Sequence, residues 1–248
     1  MTTVPDLSGR IALVTGASRG IGYQLAKQMA GAGAHVIAVA RTVGGLEELD
    51  DEIKAGGGQA TLVPLDLTDM AGIDRLGGAI FERWGKLDIM VANAGILGII
   101  SPVGHIEAKV FEKVMTINVT ATWRLIRSME PLLRKSDAGR AILLSSGVAH
   151  SARAFWSAYA ASKSAVETMA RCWAEETKNT PLRVNSVNPG ATRTAMRAQA
   201  MPGEDPMTLE TPDRVAEAIV GLCLPSMHES GKLYAYPQRK FLDFRPAS

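Results

Sequence analysis

Two side chains of matched chemistry lie four residues apart, Tyr159 and Lys163, in Ser157-Ala158-Tyr159-Ala160-Ala161-Ser162-Lys163. On a helix that spacing puts both on one face. Protonating a carbonyl oxygen as its carbon is reduced is work a phenol is shaped for, but an unperturbed phenol has a pKa of ~10. Bringing it near 7 takes about 4 kcal/mol. One ammonium ~4 Å away, at an effective dielectric of ~20, supplies about that much. Lys163 is therefore expected to tune Tyr159 nearly alone. Ser146, at the end of an apolar run, is placed to donate a hydrogen bond to the same substrate oxygen. Singly, each residue reads as structural, a core tyrosine or a strand-end cap; the joint pattern is what suggests chemistry.

A hydride donor would complete it, and the N-terminal region supplies a candidate site. Thr15-Gly16-Ala17-Ser18-Arg19-Gly20-Ile21-Gly22 follows the β-branched run Ile11–Thr15 and opens a helical pattern. Glycines let the backbone approach a ligand, and the helix start offers free N–H groups to a pyrophosphate. The spacing is GxxxGxG, not the GxGxxG fingerprint, and no Gly-Lys-Ser/Thr follows to make a P-loop. Gly16, Ser18, Arg19, Gly20, Ile21 and Gly22 are the expected cofactor contacts. The second strand ends Val39-Ala40-Arg41-Thr42 without the carboxylate that would bind a ribose 2′-hydroxyl and repel a 2′-phosphate. Arg41 and Arg19 can instead grip that phosphate, so NADP(H) is expected over NAD(H). A positive oxidised nicotinamide ring would add to the tuning of Tyr159. Asp66, after the third strand, reads as an adenine-edge contact or a helix N-cap.

The elements that must position these groups alternate. Strands are expected at Ile11–Thr15, His35–Ala40, Ala60–Leu65, Leu87–Ala92, Arg140–Ser145, Arg183–Val187 and Lys232–Tyr236. Helices fall between them, at Gly20–Gly31, Leu46–Ala55, Met70–Trp84, about Glu107–Lys135 with Pro131 as a kink or late break, Ser157–Asn179 and Pro212–Leu224. Repeated β-then-α units require parallel strands with helical crossovers. The expected fold is α/β: one domain over 1–248, a doubly wound, Rossmann-like parallel sheet of about seven strands with helices on both faces. Ligands then bind at the carboxyl ends of the strands. Residues 191–211, rich in Pro and Met, read as a substrate lid, and 237–248 as a C-terminal tail.

Composition narrows the function classes. The formal net charge of the 248 residues is +2, too small to argue for a nucleic-acid or membrane partner. The four histidines share no metal-ligand spacing, so no metal site is expected. Cys172 and Cys223 read as two reduced, buried thiols. No apolar run reaches the ~18 residues of a membrane span, and MTTVPDLSGR carries no signal pattern, so a cytoplasmic protein is expected.

These motifs, with Asn93-Ala94-Gly95, Asn118 in Thr116-Ile117-Asn118-Val119, and Asn188-Pro189-Gly190 followed by Thr194, resemble the short-chain dehydrogenase/reductase family from Thr15 to about Tyr236. The stretch from Gly190 to Pro206 is similar to a bacterial subgroup of oxidoreductases with ill-defined substrates. The resemblance implies a catalytic set of Asn118, Ser146, Tyr159 and Lys163, with Asn118 holding a water that links Lys163 to solvent. It implies that Asn93, Ala94 and Gly95 brace the sheet and pass the adenosine ribose. Thr194 would hydrogen-bond the nicotinamide carboxamide, with Pro189, Gly190 and Thr192 beside the cofactor. The expected pocket walls are Ile96, Leu97, Val148, Trp156, Met196 and Met201, with Arg153 and Arg193 as polar anchors. Substrate would be a small carbonyl or alcohol: acyl chains, cyclic ketones, sugars and quinones all fit. The family's usual Val-Asp-Gly-Gly ending is absent, which leaves a homodimer or a homotetramer open. The alternative function is a catalytically silent NADP(H)-binding regulator, which would need neither Tyr159 nor Lys163.

Overall fold

The computed structural model describes residues 5–244; the remaining ends of the expected domain and tail, 1–4 and 245–248, lie outside the described residues. In chain order the elements are β1 Ile11–Thr15, α1 Gly20–Gly31, β2 His35–Ala40, α2 Val43–Ala55, β3 Gln59–Pro64, α3 Met70–Trp84 and β4 Ile89–Ala92. Then come α4 Ala108–Met115, α5 Ala121–Leu133, β5 Arg140–Leu144, α6 Val148–Ser151, α7 Ser157–Glu176 and β6 Arg183–Asn188. The chain closes with α8 Ala195–Ala200, α9 Pro212–Leu222, β7 Leu233–Ala235 and β8 Lys240–Leu242.

One sheet runs in the order β3-β2-β1-β4-β5-β6-β7-β8. The chain winds outward from β1 to β3, then crosses back to β4, so the order reverses between β1 and β4. Their carboxyl ends open a crevice there, as expected of a doubly wound sheet. Alternate strand residues feed two cores. Val14, Val36, Val91 and Ile142 pack under α1, α2 and α9, with Leu25, Leu46 and Ile219. Leu13, Ile37, Met90 and Leu143 pack under α3, α5 and α7, with Ile73, Leu125 and Trp173.

Three expectations change. The sheet has eight strands, because the tail returns as β8, pairing antiparallel to β7 with Leu233 opposite Leu242. Arg239, at φ 52°, makes the turn, and the Tyr234 and Phe241 rings meet at 5.3 Å. The single helix over Glu107–Lys135 is two helices joined by a π-helical turn, Thr116–Thr120. Pro131 does not break it: it lies inside α5, two residues from the end. Of the two cysteines, Cys223 is buried but Cys172 is exposed. Among the described residues no helix is long and apolar enough to cross a membrane.

Candidate active site

The glycine loop is shaped by close approach. Gly16 and Gly20 have φ of 70° and 60°, the left-handed region that glycine enters freely. A methyl on Gly22 would sit 2.3 Å from the Gly16 carbonyl oxygen, so this glycine lets α1 pack on the loop and does not face the cleft. The Asn93 amide donates to the Thr15 carbonyl at 2.9 Å, and Thr15 Oγ1 accepts from the Asn93 and Ala94 N–H groups, both at 3.1 Å. Asn93 and Ala94 thus fasten the loop to the end of β4. Arg19, before α1, is extended and makes no side-chain cap, so no side chain at that position takes the helix's first N–H groups.

A cleft of about 1210 Å³ opens along this edge. Gly16, Ser18, Arg19, Gly20, Ile21, Arg41, Asp66, Asn93, Ala94, Gly95, Ile96, Leu97, Pro189, Thr194 and Met196 all line it. Five cationic side chains border it, Arg19, Arg41, Lys109, Lys113 and Arg193, against one carboxylate, Asp66. Lys109 and Lys113 escaped the sequence reading, which had no way to fold α4 over this edge. Arg193 has a buried Nε without a partner. Asp66 does not cap α3; that role is taken by Asp69, whose carboxylate accepts from Gly72 N–H at 2.8 Å. The Asp66 carboxylate accepts instead from the N–H and hydroxyl of Thr68, both at 2.9 Å, and lies 3.7 Å from Arg41. The Thr68 bonds, with help from Arg41, hold its pKa below the usual value.

Thr192 and Gly190 stay off the cleft wall. Thr192 is buried, its hydroxyl turned to the Pro189 carbonyl at 3.3 Å. Gly190, at φ 72°, lies under Pro237: a methyl there would come 2.6 Å from the proline ring. Thr194 caps α8, accepting from Arg197 N–H at 3.2 Å, and its methyl reaches within 3.4 Å of where a side chain on Gly20 would begin. Thr194 thus brings the start of the segment 191–211 against the glycine loop, and the Thr192–Glu210 bridge closes the segment on itself.

The four expected catalytic residues gather at the carboxyl ends of β4 and β5. Lys163, 4% exposed, donates to the Leu144 carbonyl at 2.6 Å. A methyl on Gly95 would lie 3.2 Å from Asn118 Oδ1 and 3.6 Å from Lys163 Nζ, so those two atoms border one small space. Asn118 sits in the π-helical turn, a feature frequent at functional sites. Its Oδ1 accepts from Ile96 N–H at 2.8 Å, and its Nδ2 donates to the Ile96 carbonyl and the Ser162 hydroxyl, both at 2.9 Å. Both amide hydrogens are thus committed, and one Oδ1 lone pair is left. Ser146 Oγ accepts only a long bond from Val148 N–H, at 3.4 Å. Val148 and Trp156 do not line the main cleft; Trp156 packs edge-on to Tyr159, centroids 6.2 Å apart.

The expected tuning of Tyr159 by Lys163 alone is not what the geometry gives. Lys163 Nζ lies 5.7 Å from the phenol ring centroid, with its hydrogen bond going to Leu144. Burial pushes the phenol up to about 12. Burial also pulls the ammonium down to about 8, opposed by the nearby Glu167 carboxylate. Glu167 is a residue the sequence reading passed over, although it falls one helical turn beyond Lys163. It is 3% exposed, accepts from the Ser145 hydroxyl, and pairs with His150 Nε2 at 2.7 Å. Among the described residues no group of three His, Cys, Asp or Glu could hold a metal ion.

Residues 10–205 match the family described as short chain dehydrogenase. An uncharacterised oxidoreductase of Escherichia coli K12, YciK, is 44% identical over 209 residues, 83% of this chain and 82% of that one. The rhamnolipid-biosynthesis 3-oxoacyl-[acyl-carrier-protein] reductase of Pseudomonas aeruginosa is 36% identical, over 83% of this chain and 80% of that protein. A short chain dehydrogenase of Shigella flexneri, solved with NADP, superposes with a TM-score of 0.90 at 40% identity, covering 94% of this chain and 99% of that one. One from E. coli CFT073, solved with NADPH, gives 0.88 at 39% identity, covering 94% and 98%.

Proposed function

Since the chain belongs to the short chain dehydrogenase family, we propose that it is an NADP(H)-dependent oxidoreductase that interconverts a ketone or aldehyde and its alcohol, with Tyr159 as general acid and base. The observation that carries this is the meeting of Lys163 Nζ and Asn118 Oδ1 behind Gly95, which lines a dinucleotide-sized cleft. The Tyr159 ring centroid lies 5.7 Å from Nζ and Ser146 just beyond β5; the four side chains themselves are not on the cleft wall. The residues present fit the cofactor. The α1 N-terminus without a side-chain cap and the close-packed glycines suit a pyrophosphate, Thr194 suits the carboxamide end, and Arg41 with Arg19 suits a 2′-phosphate where Ala40 offers no carboxylate. Relatives solved with NADP and NADPH support the same choice.

When bound, reduced nicotinamide supplies the hydride. Ser146 donates a hydrogen bond to the carbonyl oxygen and holds it beside the phenol. Tyr159 gives its proton to that oxygen as the carbon–hydrogen bond forms, and takes it back in the oxidative direction. The buried ammonium of Lys163 steadies the phenolate. A water on the free Oδ1 lone pair of Asn118, beside Nζ, would return the proton from solvent. A silent regulator would have no use for this set. The cytoplasm remains the compartment, in keeping with two free cysteines.

The deciding experiment is Tyr159→Phe, which keeps the ring against Trp156 and removes only the hydroxyl. NADPH affinity should persist while carbonyl reduction falls at least about 1,000-fold. Near-normal turnover would show that another group is the acid.

Assembly is part of the proposal. A groove of about 370 Å³ between α5 and α7 is lined by Trp123, Ile126, Met169, Cys172 and Trp173. Trp123 is 45% exposed there. An isologous contact along these helices, each meeting its own copy, would cover it.

A further inference from the structure

Helix α7 carries a second ionisable side chain on the face of Lys163. Glu167 follows by one turn and is buried, on a helix whose Val166, Ala170 and Trp173 enter the apolar core. A carboxylate taken out of water there is costly unless its oxygens are paired. Both are. One accepts from the Ser145 hydroxyl, and the other pairs with His150 Nε2 at 2.7 Å. The imidazole is half-exposed and forms the outward end of these contacts. Its ring meets Phe244 of the tail, centroids 6.1 Å apart, and Arg171, one turn beyond Glu167, stacks over Phe244 at 4.6 Å. Ser164 Oγ donates to the Ala149 carbonyl at 3.0 Å, a second tie between α6 and α7.

Three consecutive residues at the end of β5 thus have different partners. The Leu144 carbonyl takes Lys163, the Ser145 hydroxyl takes Glu167, and Ser146 Oγ has only its long bond from Val148. The Lys163 ammonium is bordered by Tyr159 and Glu167 of its own helix, by Asn118 of the π-helical turn and by the Leu144 carbonyl. Glu167 is the one charge in that group, and it opposes the burial that pulls the ammonium down. A glutamine would fill the same space and still accept from Ser145. Only a carboxylate also answers the charge on Nζ.

We propose that Glu167 is a positioning residue of the reaction: anchored by His150, it fixes the end of β5 through Ser145 and keeps a negative charge one turn from Lys163, so that Ser146 stays aimed and Lys163 stays an ammonium. It acts through those residues and touches no reactant. The proposal rests on the oxidoreductase reading above, and its first test needs no substrate.

The full-length chain, Glu167→Gln, Lys163→Met and the double variant are unfolded by denaturant at pH 7 and pH 10. At pH 7, Glu167→Gln should lower the folding equilibrium constant about 10-fold more with Lys163 present than with methionine in its place. At pH 10 Lys163 is neutral, and that excess should vanish. No excess at pH 7, or the same excess at both values, would overturn the proposal and leave the oxidoreductase reading standing. The second arm follows NADPH oxidation with phenanthrenequinone as the carbonyl probe. The rate should fall on the basic side as Lys163 loses its proton. Glu167→Gln should move that fall in kcat to lower pH by about one unit, with KM and NADPH affinity within about 2-fold. A basic limb that stays in place would overturn the proposal. His150→Ala should lower kcat about 5-fold, the size of one hydrogen bond, and His150→Gln, which can still donate to the carboxylate, should restore most of it. If Glu167→Gln does not fold, these variants decide, and an unchanged kcat in His150→Ala overturns the proposal. An unsubstituted protein that leaves NADPH unoxidised, beside an intact coupling at pH 7, would keep the Glu167–Lys163 link and count against the oxidoreductase reading instead.

Discussion

A buried ammonium without a carboxylate bonded to it is costly in neutral solution, and Lys163 is such a group. Its pKa is held near 8, against an ordinary 10.5, by burial. Between those values the unfolded chain binds the proton and the native state does not. Stability should therefore rise with pH from about 8 to about 10.5, as the burden of the charge disappears. Lys163→Met should raise the unfolding free energy of the cofactor-free protein by about 1–3 kcal/mol at pH 7, while abolishing turnover. Denaturant titrations at pH 7 and pH 10 check this, and the gain should shrink at the higher value. Arg41 raises a different matter at the same scale. It is 59% exposed and lies 3.7 Å from Asp66. Arg41→Asp should narrow or reverse an NADPH-over-NADH preference of about 10-fold or more in Kd, by calorimetry.

At the scale of elements, the far end of the sheet is held by Asp88, fully buried at the start of β4. Its carboxylate accepts from Ile11 N–H at 2.9 Å, Ser136 Oγ at 2.6 Å, Lys86 Nζ at 2.9 Å and Arg10 at 3.1 Å. Burial pushes its pKa up, but the bonds from Ser136, Ile11 and Lys86 outweigh that and leave it lowered. The stability it contributes is present above the ordinary aspartate value and is lost as pH falls through the lowered one. Asp88→Asn should lower the unfolding free energy by about 3 kcal/mol, or the thermal midpoint by about 6–12 °C, and remove part of the acid dependence. The elements themselves were largely legible. Helix α3 matches its expected limits because its apolar residues keep a strict helical period and Gly85 stops it. Tyr159 and Lys163 were legible because their spacing is local. The π-helical turn was not, since Thr116–Thr120 departs from α-helix only in its backbone pairing, with Ala121 N–H reaching the Thr116 carbonyl, while the bonds from Asn118 that accompany it go to Ile96 in another loop. Nor was β8, three residues long and defined only by its pairing with β7. Glu167 was hidden because a glutamate on a helix reads as solvated until its partners Ser145 and His150 are placed.

For the whole molecule, the two faces of the sheet differ in what covers them. Helices α1, α2 and α9 cover one face. On the other, α5 and α7 leave the groove beside Trp123 in water. Light scattering at micromolar concentration should give a dimer or a tetramer, not the 26.4 kDa chain. Trp123→Ser should shift the particle toward the monomer and lower its thermal midpoint in a concentration-dependent way. A monomer in the unsubstituted protein would overturn the assembly.

The five cations around the cleft also bear on speed. A chain whose formal net charge is only +2 gathers Arg19, Arg41, Lys109, Lys113 and Arg193 at one edge, with Asp66 alone against them. Such a patch is felt over about a Debye length, ~8 Å at physiological salt, so an approaching polyanion is drawn in before any contact forms. Stopped-flow association of NADPH should therefore slow steeply between about 20 and 500 mM salt, while dissociation changes little. NADH, with no 2′-phosphate, should show the shallower dependence. Lys109 and Lys113 would then act on a ligand still in flight, with Lys113→Gln lowering the encounter rate more than the final affinity.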